Sequence, residues 1–383
     1  MKQLPKTIIV GITDRKLDYQ AQRSSLDEAS LLVETYGGEV VEVLTQNTSH
    51  RDSGTFIGSG KVEEIKRLVE DKGVEIVVIN SDLKTSQLYN LAKAIGVSAE
   101  CEVWDRTQLI LEIFKKHAST AEAKLQIKLA ELHHHGPEMA GIGEEMSQQG
   151  GGIGARGIGE TQTEIMRRHW RDQISAVKKK LEKVSLTRNQ QMKHRRKSGV
   201  PTVSIVGYTN AGKSTLFNTL GGKEDLVKDS LFATLDSSVS SMYLQNVGRK
   251  VYLSDTIGFI QDLPTTLIQA FSSTLQESVN ADLLLHVVDI SDPEYYLKIQ
   301  TVKQILSEIE MQDKSVIYVL NKMDRLSKSQ QTELSSQFGD KLHIMVSASK
   351  KTGIDDLILL IEKQLMKQGL TRADHLSYLD QME

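Results

Sequence analysis

The chain has 383 residues with 39% hydrophobic content and five prolines, which predicts about two or three folded domains and excludes a largely disordered chain. No apolar run approaches the roughly 20 residues that span a bilayer, the N-terminus lacks the apolar core of a secretory signal, and the single Cys101 excludes an intramolecular disulfide. We expect a cytoplasmic protein with no integral membrane segment, while peripheral membrane association of part of the protein stays open.

Residues 1–104 alternate short strand patterns with amphipathic helical patterns. Each of the three helical patterns ends at a glycine, the residue that favours the left-handed conformation after a helix: Gly37, Gly73 and Gly96. The predicted strands are 7–12, 39–44, 74–80 and 97–103, and the predicted helices are 25–36, 60–72 and 83–95. This alternation predicts an N-terminal α/β domain with a parallel sheet covered by helices.

Residues 105–199 predict a long antiparallel helical hairpin. The periodicity over 105–135 predicts one long helix, and that over 161–197 predicts a second helix with a narrow apolar seam. The segment between them, 136–160, holds nine glycines in 25 residues. We expect this segment to be the tip loop of the hairpin and to approach a partner closely.

The net charge of −3 conceals a strongly basic segment. Between Thr161 and Ser198 there are twelve Lys or Arg residues and three acidic ones, so this segment carries +9 and the remainder −12. A helix that only needs solubility mixes both signs, whereas clustered cations bind phosphates, so we expect an RNA partner. A solvated helix face and an anionic membrane surface are weaker alternatives. The RNA-binding candidates are Gly151, Gly152, Arg156, Arg167, Arg168, Arg171, Lys178, Lys179, Lys193, Arg195 and Arg196.

Residues 200–367 predict a second α/β domain, followed by a short tail at 368–383. Its predicted strands are 202–206, 250–254, 283–289, 316–321 and 342–347. Directly after the first strand, the sequence GYTNAGKS fits the phosphate-loop pattern and leads into a helix. Its backbone N–H groups can wrap phosphates while the lysine contacts the β- and γ-phosphates. The predicted nucleotide-binding residues here are Gly207, Tyr208, Thr209, Asn210, Ala211, Gly212, Lys213, Ser214 and Thr215.

A magnesium site and a γ-phosphate sensor are predicted next to this loop. Ser214 and Asp255 offer oxygen ligands for Mg²⁺, and Thr234 is the best-placed switch threonine to complete the set. The backbone N–H of Gly258 can sense a γ-phosphate. We therefore assign Lys213, Thr234 and Gly258 to catalysis of GTP hydrolysis. Phe259 stands where many small GTPases have a glutamine that orients water, so we expect slow intrinsic hydrolysis that a partner accelerates.

Two further strand ends carry a base-recognition pattern. Asp324 can accept two N–H bonds from guanine, and adenine lacks those donors. The other residues assigned to the base site are Asn321, Lys322, Ser347, Ala348 and Ser349. Four motifs in order at strand ends predict GTP and GDP as ligands. The predicted fold is therefore α/β: an N-terminal parallel-sheet α/β domain with a long antiparallel helical hairpin, then a P-loop GTPase (G) domain.

Three other signals are weaker. Gly58–Lys61 resembles a phosphate loop but lacks the hydroxyl residue, and Gly152–Gly157 resembles a dinucleotide motif but has no preceding strand. His133, His134 and His135 could bind a metal, but consecutive helical residues point in different directions, which favours a solvated helix end.

The sequence closely resembles the HflX family of ribosome-associated GTPases over residues 8–367. The matching segments include IGSGKVEEI (57–65), WDRTQLILEIF (104–114), EAKLQIKLAEL (122–132), GGIGARGIGETQTE (151–164), VGYTNAGKSTLFN (206–218), LFATLD (231–236) and DTIGFI (255–260). The resemblance implies binding to the large ribosomal subunit and its rRNA, dissociation of ribosomes into subunits under stress, hydrolysis stimulated by the ribosome, and a secondary ATPase activity. We expect a monomer off the ribosome.

Two departures and two alternatives remain. The family commonly has LFATLDPTTR where this chain has LFATLDSSVS, and an extra C-terminal domain of some members is not expected here. One alternative is a large-subunit assembly or silencing factor that does not split ribosomes. The other is a signalling GTPase with a protein partner, which the basic segment disfavours.

Overall fold

The structure is a computed structural model that describes residues 4–14, 19–96, 101–134, 162–197, 199–222, 231–232, 238–264, 267 and 278–371. The chain forms two compact units, Met1–Lys183 with Leu263–Ala270 and Val184–Asp262 with Phe271–Glu383. None of the helices in the described ranges is both long and apolar enough to cross a bilayer.

The first unit contains a four-stranded parallel sheet with the strand order β2-β1-β3-β4. The strands are β1 (Lys6–Thr13), β2 (Glu39–Asn47), β3 (Ile76–Ile79) and β4 (Glu102–Asp105), and the intervening helices are α1 (Tyr19–Tyr36), α2 (Ser59–Lys72) and α3 (Thr85–Ile95). Gly37, Gly73 and Gly96 follow these helices with positive φ angles, as the sequence predicts. Strand β3 is buried on both faces, which is the normal burial of a central parallel strand. The predicted parallel sheet is confirmed.

The prediction of one long helix over 105–135 was wrong. Helix α4 (Arg106–His117) ends at Ala118, whose backbone is extended, and a separate helix α5 covers 121–134. The break has a local cause. The Thr120 hydroxyl accepts a hydrogen bond of 3.1 Å from the Ala123 N–H, so it caps a new helix and competes with continuation of α4. The apolar periodicity continues across the break because both helices bury side chains.

Helix α6 (Gln162–Lys197) is continuous over 36 residues, as the sequence predicts. Its apolar seam is half-buried at Trp170, Ile174, Val177 and Leu181, while most intervening residues are exposed. The predicted tip, 136–160, lies outside the described residues.

The second unit contains a six-stranded sheet with the order β10-β9-β8-β5-β7-β6. The strands are β5 (Thr202–Gly207), β6 (Ser238–Leu244), β7 (Arg249–Asp255), β8 (Leu283–Asp289), β9 (Val316–Asn321) and β10 (His343–Met345). The helices are α7 (Lys213–Gly221), α8 (Tyr295–Glu308), α9 (Lys328–Phe338) and α10 (Ile354–Lys367), with a short 3₁₀ turn at Met323–Arg325. The central strands β5 and β8 are almost fully buried.

Strand β6 is absent from the sequence prediction. It is the one antiparallel strand of this sheet in the described residues and lies at its edge, where it pairs with β7 so that Ser238 stands opposite Asp255. Its sequence, SVSSMYL, has three serines among seven residues and no regular alternation of apolar and polar side chains, which makes the strand signal weak. The parallel arrangement of the other five strands places their carboxyl ends at one edge of the sheet.

Candidate nucleotide-binding site

The predicted phosphate loop joins β5 to the N-terminus of α7, where backbone N–H groups are free of partners within the helix. Gly207 begins the loop with φ 153°, and a side chain there would collide with the backbone carbonyl of Val287. Gly212 ends it with φ 91°, and a side chain there would collide with the amide of Asn321. Both glycines therefore allow a close approach of neighbouring strands to the loop.

Lys213 is 6% exposed, and its Nζ donates a hydrogen bond of 2.7 Å to the backbone oxygen of Tyr208. Burial lowers the pKa of Lys213 to about 8, and the negative charge of Asp255 opposes part of that change. The ammonium group is thus held inside the loop, where a phosphate would strongly favour its charged form.

Ser214 and Asp255, the predicted magnesium ligands, are in direct contact. The Ser214 hydroxyl donates a hydrogen bond of 2.8 Å to Oδ2 of Asp255, and Asp255 is almost fully buried at the end of β7. A hydroxyl and a carboxylate are the oxygen donors that Mg²⁺ prefers, so this pair fits the ion. The third predicted ligand, Thr234, lies outside the described residues.

The segment after Asp255 is hydrogen-bonded to the phosphate loop. The Thr209 N–H donates to the Phe259 oxygen at 2.7 Å, and the Phe259 N–H donates to the Gly207 oxygen at 3.2 Å. Gly258 directly precedes Phe259, the residue that makes both of these bonds. A side chain there would come within 2.7 Å of the Thr209 methyl carbon and 2.9 Å of the Lys213 Nζ. A larger residue therefore does not fit at position 258, where the glycine backbone lies next to the phosphate loop.

Phe259 is 1% exposed and packs into the interior. Its side chain therefore does not occupy the position of a residue that orients water, and a polar residue at 259 would be buried by the same backbone. The structure therefore gives Phe259 a packing role. Its side chain also lacks the hydrogen-bonding groups that could orient water, as the sequence indicates.

The side-chain amide of Asn321 connects the base-recognition loops to the phosphate loop. Its Nδ2 donates to the Ala211 oxygen at 2.8 Å, and its Oδ1 accepts from the Ala348 N–H at 3.0 Å. Asn321 is buried, so both bonds are shielded from water. The motifs at 207–214, 321–324 and 347–349, far apart in sequence, thus form one connected site.

Asp324 is exposed at this site, and Oδ1 accepts a hydrogen bond of 2.6 Å from the Ser347 hydroxyl. This bond is the main reason that the pKa of Asp324 lies below its ordinary value, so the carboxylate stays ionised and acts as an acceptor. Ser349 lies beside Ser347, with 3.4 Å between the two hydroxyl oxygens.

Asp289 is a site residue that sequence reasoning missed. Its Oδ2 pairs with the Nζ of Lys322 at 2.8 Å, and its Oδ1 accepts bonds from the N–H and hydroxyl of Ser291 at 3.0 and 2.6 Å. Lys322 has a left-handed backbone with φ 64°. The sequence could have indicated Asp289, because it is a carboxylate at the end of the buried strand β8. The other motifs of the site also lie at strand ends of this edge.

The second phosphate-loop-like segment, Gly58–Lys61, begins helix α2. The Gly58 N–H donates to the Gln46 side chain at 3.0 Å, and Lys61 pairs with Glu64 at 2.6 Å. Both groups that a phosphate would need are therefore engaged within the unit.

The predicted RNA-binding residues fall into three groups. Gly151, Gly152 and Arg156 lie outside the described residues, and Lys193, Arg195 and Arg196 lie on α6 with side chains outside them. The remaining members are exposed on α6: Arg167, Arg168, Arg171, Lys178 and Lys179.

A phosphate loop, a neighbouring Ser–Asp pair and a connected Asn-Lys-x-Asp loop at one sheet edge define a P-loop GTPase. Three family models match the chain consecutively: "GTP-binding GTPase N-terminal" over 23–115, "GTP-binding GTPase Middle Region" over 117–195 and "50S ribosome-binding GTPase" over 202–322. The crystal structure of SsGBP in its complex with GDP matches with a TM-score of 0.51 and 26% identity, covering 95% of this chain and 100% of that one.

Curated relatives identify the family. GTPase HflX of Caldanaerobacter subterraneus is 42% identical, over 95% of this chain and 81% of the relative. GTPase HflX of Escherichia coli is 39% identical, over 89% of this chain and 79% of the relative. This chain belongs to the HflX family of GTPases.

Proposed function

We propose that this GTPase binds the large ribosomal subunit and its rRNA, and that its GTP-bound form promotes dissociation of ribosomes into subunits. Stress is the condition in which this activity is needed. The observation that carries the proposal is the exposed basic surface of α6. Seven Lys and Arg side chains between 167 and 183 are exposed there: Arg167, Arg168, Arg171, Lys178, Lys179, Lys180 and Lys183.

Such a surface suits a long phosphate-rich partner. At 1.5 Å per residue, the stretch from 167 to 183 covers about 24 Å of helix, so several phosphates can be contacted at once. The match of residues 202–322 to a family described as ribosome-binding supports the same partner. The glycine-rich tip at 136–160, with Gly151, Gly152 and Arg156, would extend these contacts.

In the proposed reaction, GTP is hydrolysed to GDP and phosphate. Lys213 neutralises the β- and γ-phosphates, the Gly258 N–H contacts the γ-phosphate, and Asp324 selects guanine. Ser214, Asp255 and Thr234 would hold Mg²⁺, which supplies charge neutralisation at the phosphates when bound. Because Phe259 cannot orient water, we propose that the ribosome completes the site and stimulates hydrolysis. The secondary ATPase activity implied by the resemblance would use the same phosphate loop, with weaker recognition of the base.

The proposal can be tested with light scattering of intact ribosomes in the presence of the protein and a non-hydrolysable GTP analogue. We expect scattering to fall, and we expect Lys178→Glu/Lys179→Glu/Lys180→Glu to prevent the fall. The control carries the same charge change on exposed lysines of the second unit, Lys250→Glu/Lys328→Glu/Lys363→Glu, and should behave as the wild type.

Unchanged scattering with tight binding to isolated large subunits would instead identify an assembly or silencing factor. Equal activity of the α6 variant and the wild type would refute the role of the basic surface. Sedimentation of the free protein tests the expected monomer, and fractionation tests its cytoplasmic location and any peripheral membrane association.

A further inference from the structure

The structure brings three possible metal ligands together in the first unit, whereas the nucleotide-binding residues belong to the second. They are Asp82, Asp105 and His134, and their ligand atoms all lie within 4.8 Å of one another. These residues come from the loop after β3, the last residue of β4 and the end of the helix 121–134. The cluster is therefore formed by tertiary structure and has no motif in the sequence.

The geometry of the sheet explains why the two carboxylates meet. Strands β3 and β4 are parallel, and Ile79 stands opposite Asp105, so the residues that follow β3 lie at the end of β4. The carboxyl ends of parallel strands are where α/β sheets bind ligands. Helix α5 then supplies the imidazole, with Nε2 of His134 3.2 Å from Oδ1 of Asp105.

Asp105 is held rigidly in the interior. It is 0% exposed, its Oδ1 accepts from the Gln108 N–H at 2.7 Å, and its Oδ2 accepts from the Leu83 N–H at 3.3 Å. Within the described ranges, His134 is the basic side chain that lies against this carboxylate. A buried carboxylate requires compensation of its charge, and a protonated imidazole or a bound cation can supply it.

Two further residues, Thr107 and Gln108, contact the carboxylates of this cluster. The Thr107 hydroxyl donates a hydrogen bond of 3.1 Å to Oδ1 of Asp82. The cluster thus brings two carboxylates to one imidazole, and Gln108, whose backbone contacts Asp105, has a buried side-chain oxygen without a hydrogen-bond partner in the part of the chain described.

We propose that Asp82, Asp105 and His134 form a binding site for one divalent transition-metal ion. One imidazole nitrogen and two carboxylate oxygens from separate elements are a donor set suited to ions such as Zn²⁺ or Co²⁺, with remaining positions for water. His134 is the last described residue before the glycine-rich segment. An ion at this site would fix the end of α5 to the sheet of the first unit.

The neighbouring histidine provides a matched control. His133 is exposed, whereas His134 is half-buried against Asp105, so substitution of each changes the same residue type at adjacent positions of one helix. The test uses the full chain, stripped with a chelator and then saturated with Mg²⁺ and GDP so that the nucleotide site is filled. Co²⁺ is titrated and followed by visible absorption, and Zn²⁺ is then added in competition.

We expect one equivalent of Co²⁺ to bind with d–d absorption bands that Zn²⁺ abolishes. Since loss of a residue that only supports a ligand costs about 10–100-fold in metal affinity, His134→Ala should cost about 100-fold or more. Asp82→Asn, at an exposed carboxylate, should also weaken binding, and His133→Ala should not. Zn²⁺ should raise the unfolding temperature of the wild type and not that of His134→Ala.

Unchanged circular dichroism and GDP affinity of the variants would show that they are folded. Equal Co²⁺ affinity for His134→Ala and His133→Ala, or no binding to the wild type at micromolar concentrations, would overturn the proposal. The second result would leave the close approach of His134 to Asp105 as a contact within the protein without a metal ion. Neither result depends on ribosome binding, so this test is independent of the proposed function.

Discussion

The phenolic oxygen of Tyr208 accepts a hydrogen bond of 2.6 Å from the backbone N–H of Gln261. This bond joins the second residue of the phosphate loop to the segment that follows Asp255 and carries Gly258. It adds to the two backbone bonds between Gly207, Thr209 and Phe259. The part of the protein that would sense the γ-phosphate is therefore fixed to the part that holds the other phosphates.

Tyr208→Phe should loosen this connection without removing a phosphate contact. We expect GDP affinity to change less than about tenfold, since one hydrogen bond contributes about 0.5–1.5 kcal/mol. Hydrogen exchange of residues 258–262 should accelerate, because the Gln261 N–H loses its acceptor. Unchanged exchange in this segment would show that the two backbone bonds suffice.

Asn321→Ala should damage both halves of the site at once. It leaves the Ala211 oxygen and the Ala348 N–H buried without their partner, at a cost of about 1–3 kcal/mol each. We expect a lower unfolding temperature and at least about a tenfold loss of GDP affinity, measured by calorimetry. Ser327→Ala is the control. It removes the cap of α9 at about 1 kcal/mol and should leave GDP affinity intact.

Asp324→Asn should change the preferred base from guanine to xanthine. The amide can donate to the carbonyl that xanthine has in place of the guanine amino group, whereas it pairs poorly with guanine. We expect XTP hydrolysis to appear as GTP hydrolysis falls about 100-fold or more, by analogy with sites that lose a hydrogen-bonding match. Equal loss of both activities would contradict base selection by this carboxylate.

Nucleotide binding should take up a proton at mildly alkaline pH. Burial lowers the pKa of Lys213 to about 8 in the protein without nucleotide, and phosphates raise it again. At pH 8 about half a proton should be taken up, and almost none at pH 6.5, so affinity should fall as pH rises above 8. Calorimetry in buffers of different ionisation enthalpy measures this uptake, and Lys213→Ala should abolish it.

Phe259→Gln should not create a faster GTPase. The backbone directs this side chain into the interior, so the amide would be buried and the free energy of unfolding should fall by about 2–4 kcal/mol. Single-turnover hydrolysis without ribosomes should stay slow. Phe259→Leu provides the apolar control, with a smaller loss of stability. A marked acceleration in the glutamine variant would show that residue 259 can reach the attacking water.

Much of the fold could be predicted from sequence, because local signals determine it. Gly73 and Gly96 end their helices with left-handed backbones, and the strands 283–289 and 316–321 have the predicted bounds, since buried parallel strands are continuous apolar runs. The break at Ala118 was missed because apolar spacing reports burial and not continuity of a helix. Strand β6 was missed because an edge strand carries little apolar signal.

The candidate site shows the same division. Motifs such as 207–214 and 321–324 are contiguous in sequence, so their residue types could be assigned a chemistry before their arrangement was known. The pairing of Asp289 with Lys322 and of Asp105 with His134 depends on which strand ends and helix ends become neighbours. No local pattern carries that information. The assignments of Thr234 and of the tip residues Gly151, Gly152 and Arg156 remain predictions.

The antiparallel pairing of β6 with β7 has a consequence for the residues that begin β6. Ser238 is the register partner of Asp255, whose carboxylate accepts the hydrogen bond from the Ser214 hydroxyl. A change of residue type at 238–240 therefore lies beside the strand that ends at this carboxylate. Under the proposed function, in which Asp255 holds Mg²⁺, substitution in this edge strand should change metal affinity, and Mg²⁺ titration of Ser238 variants would measure the change.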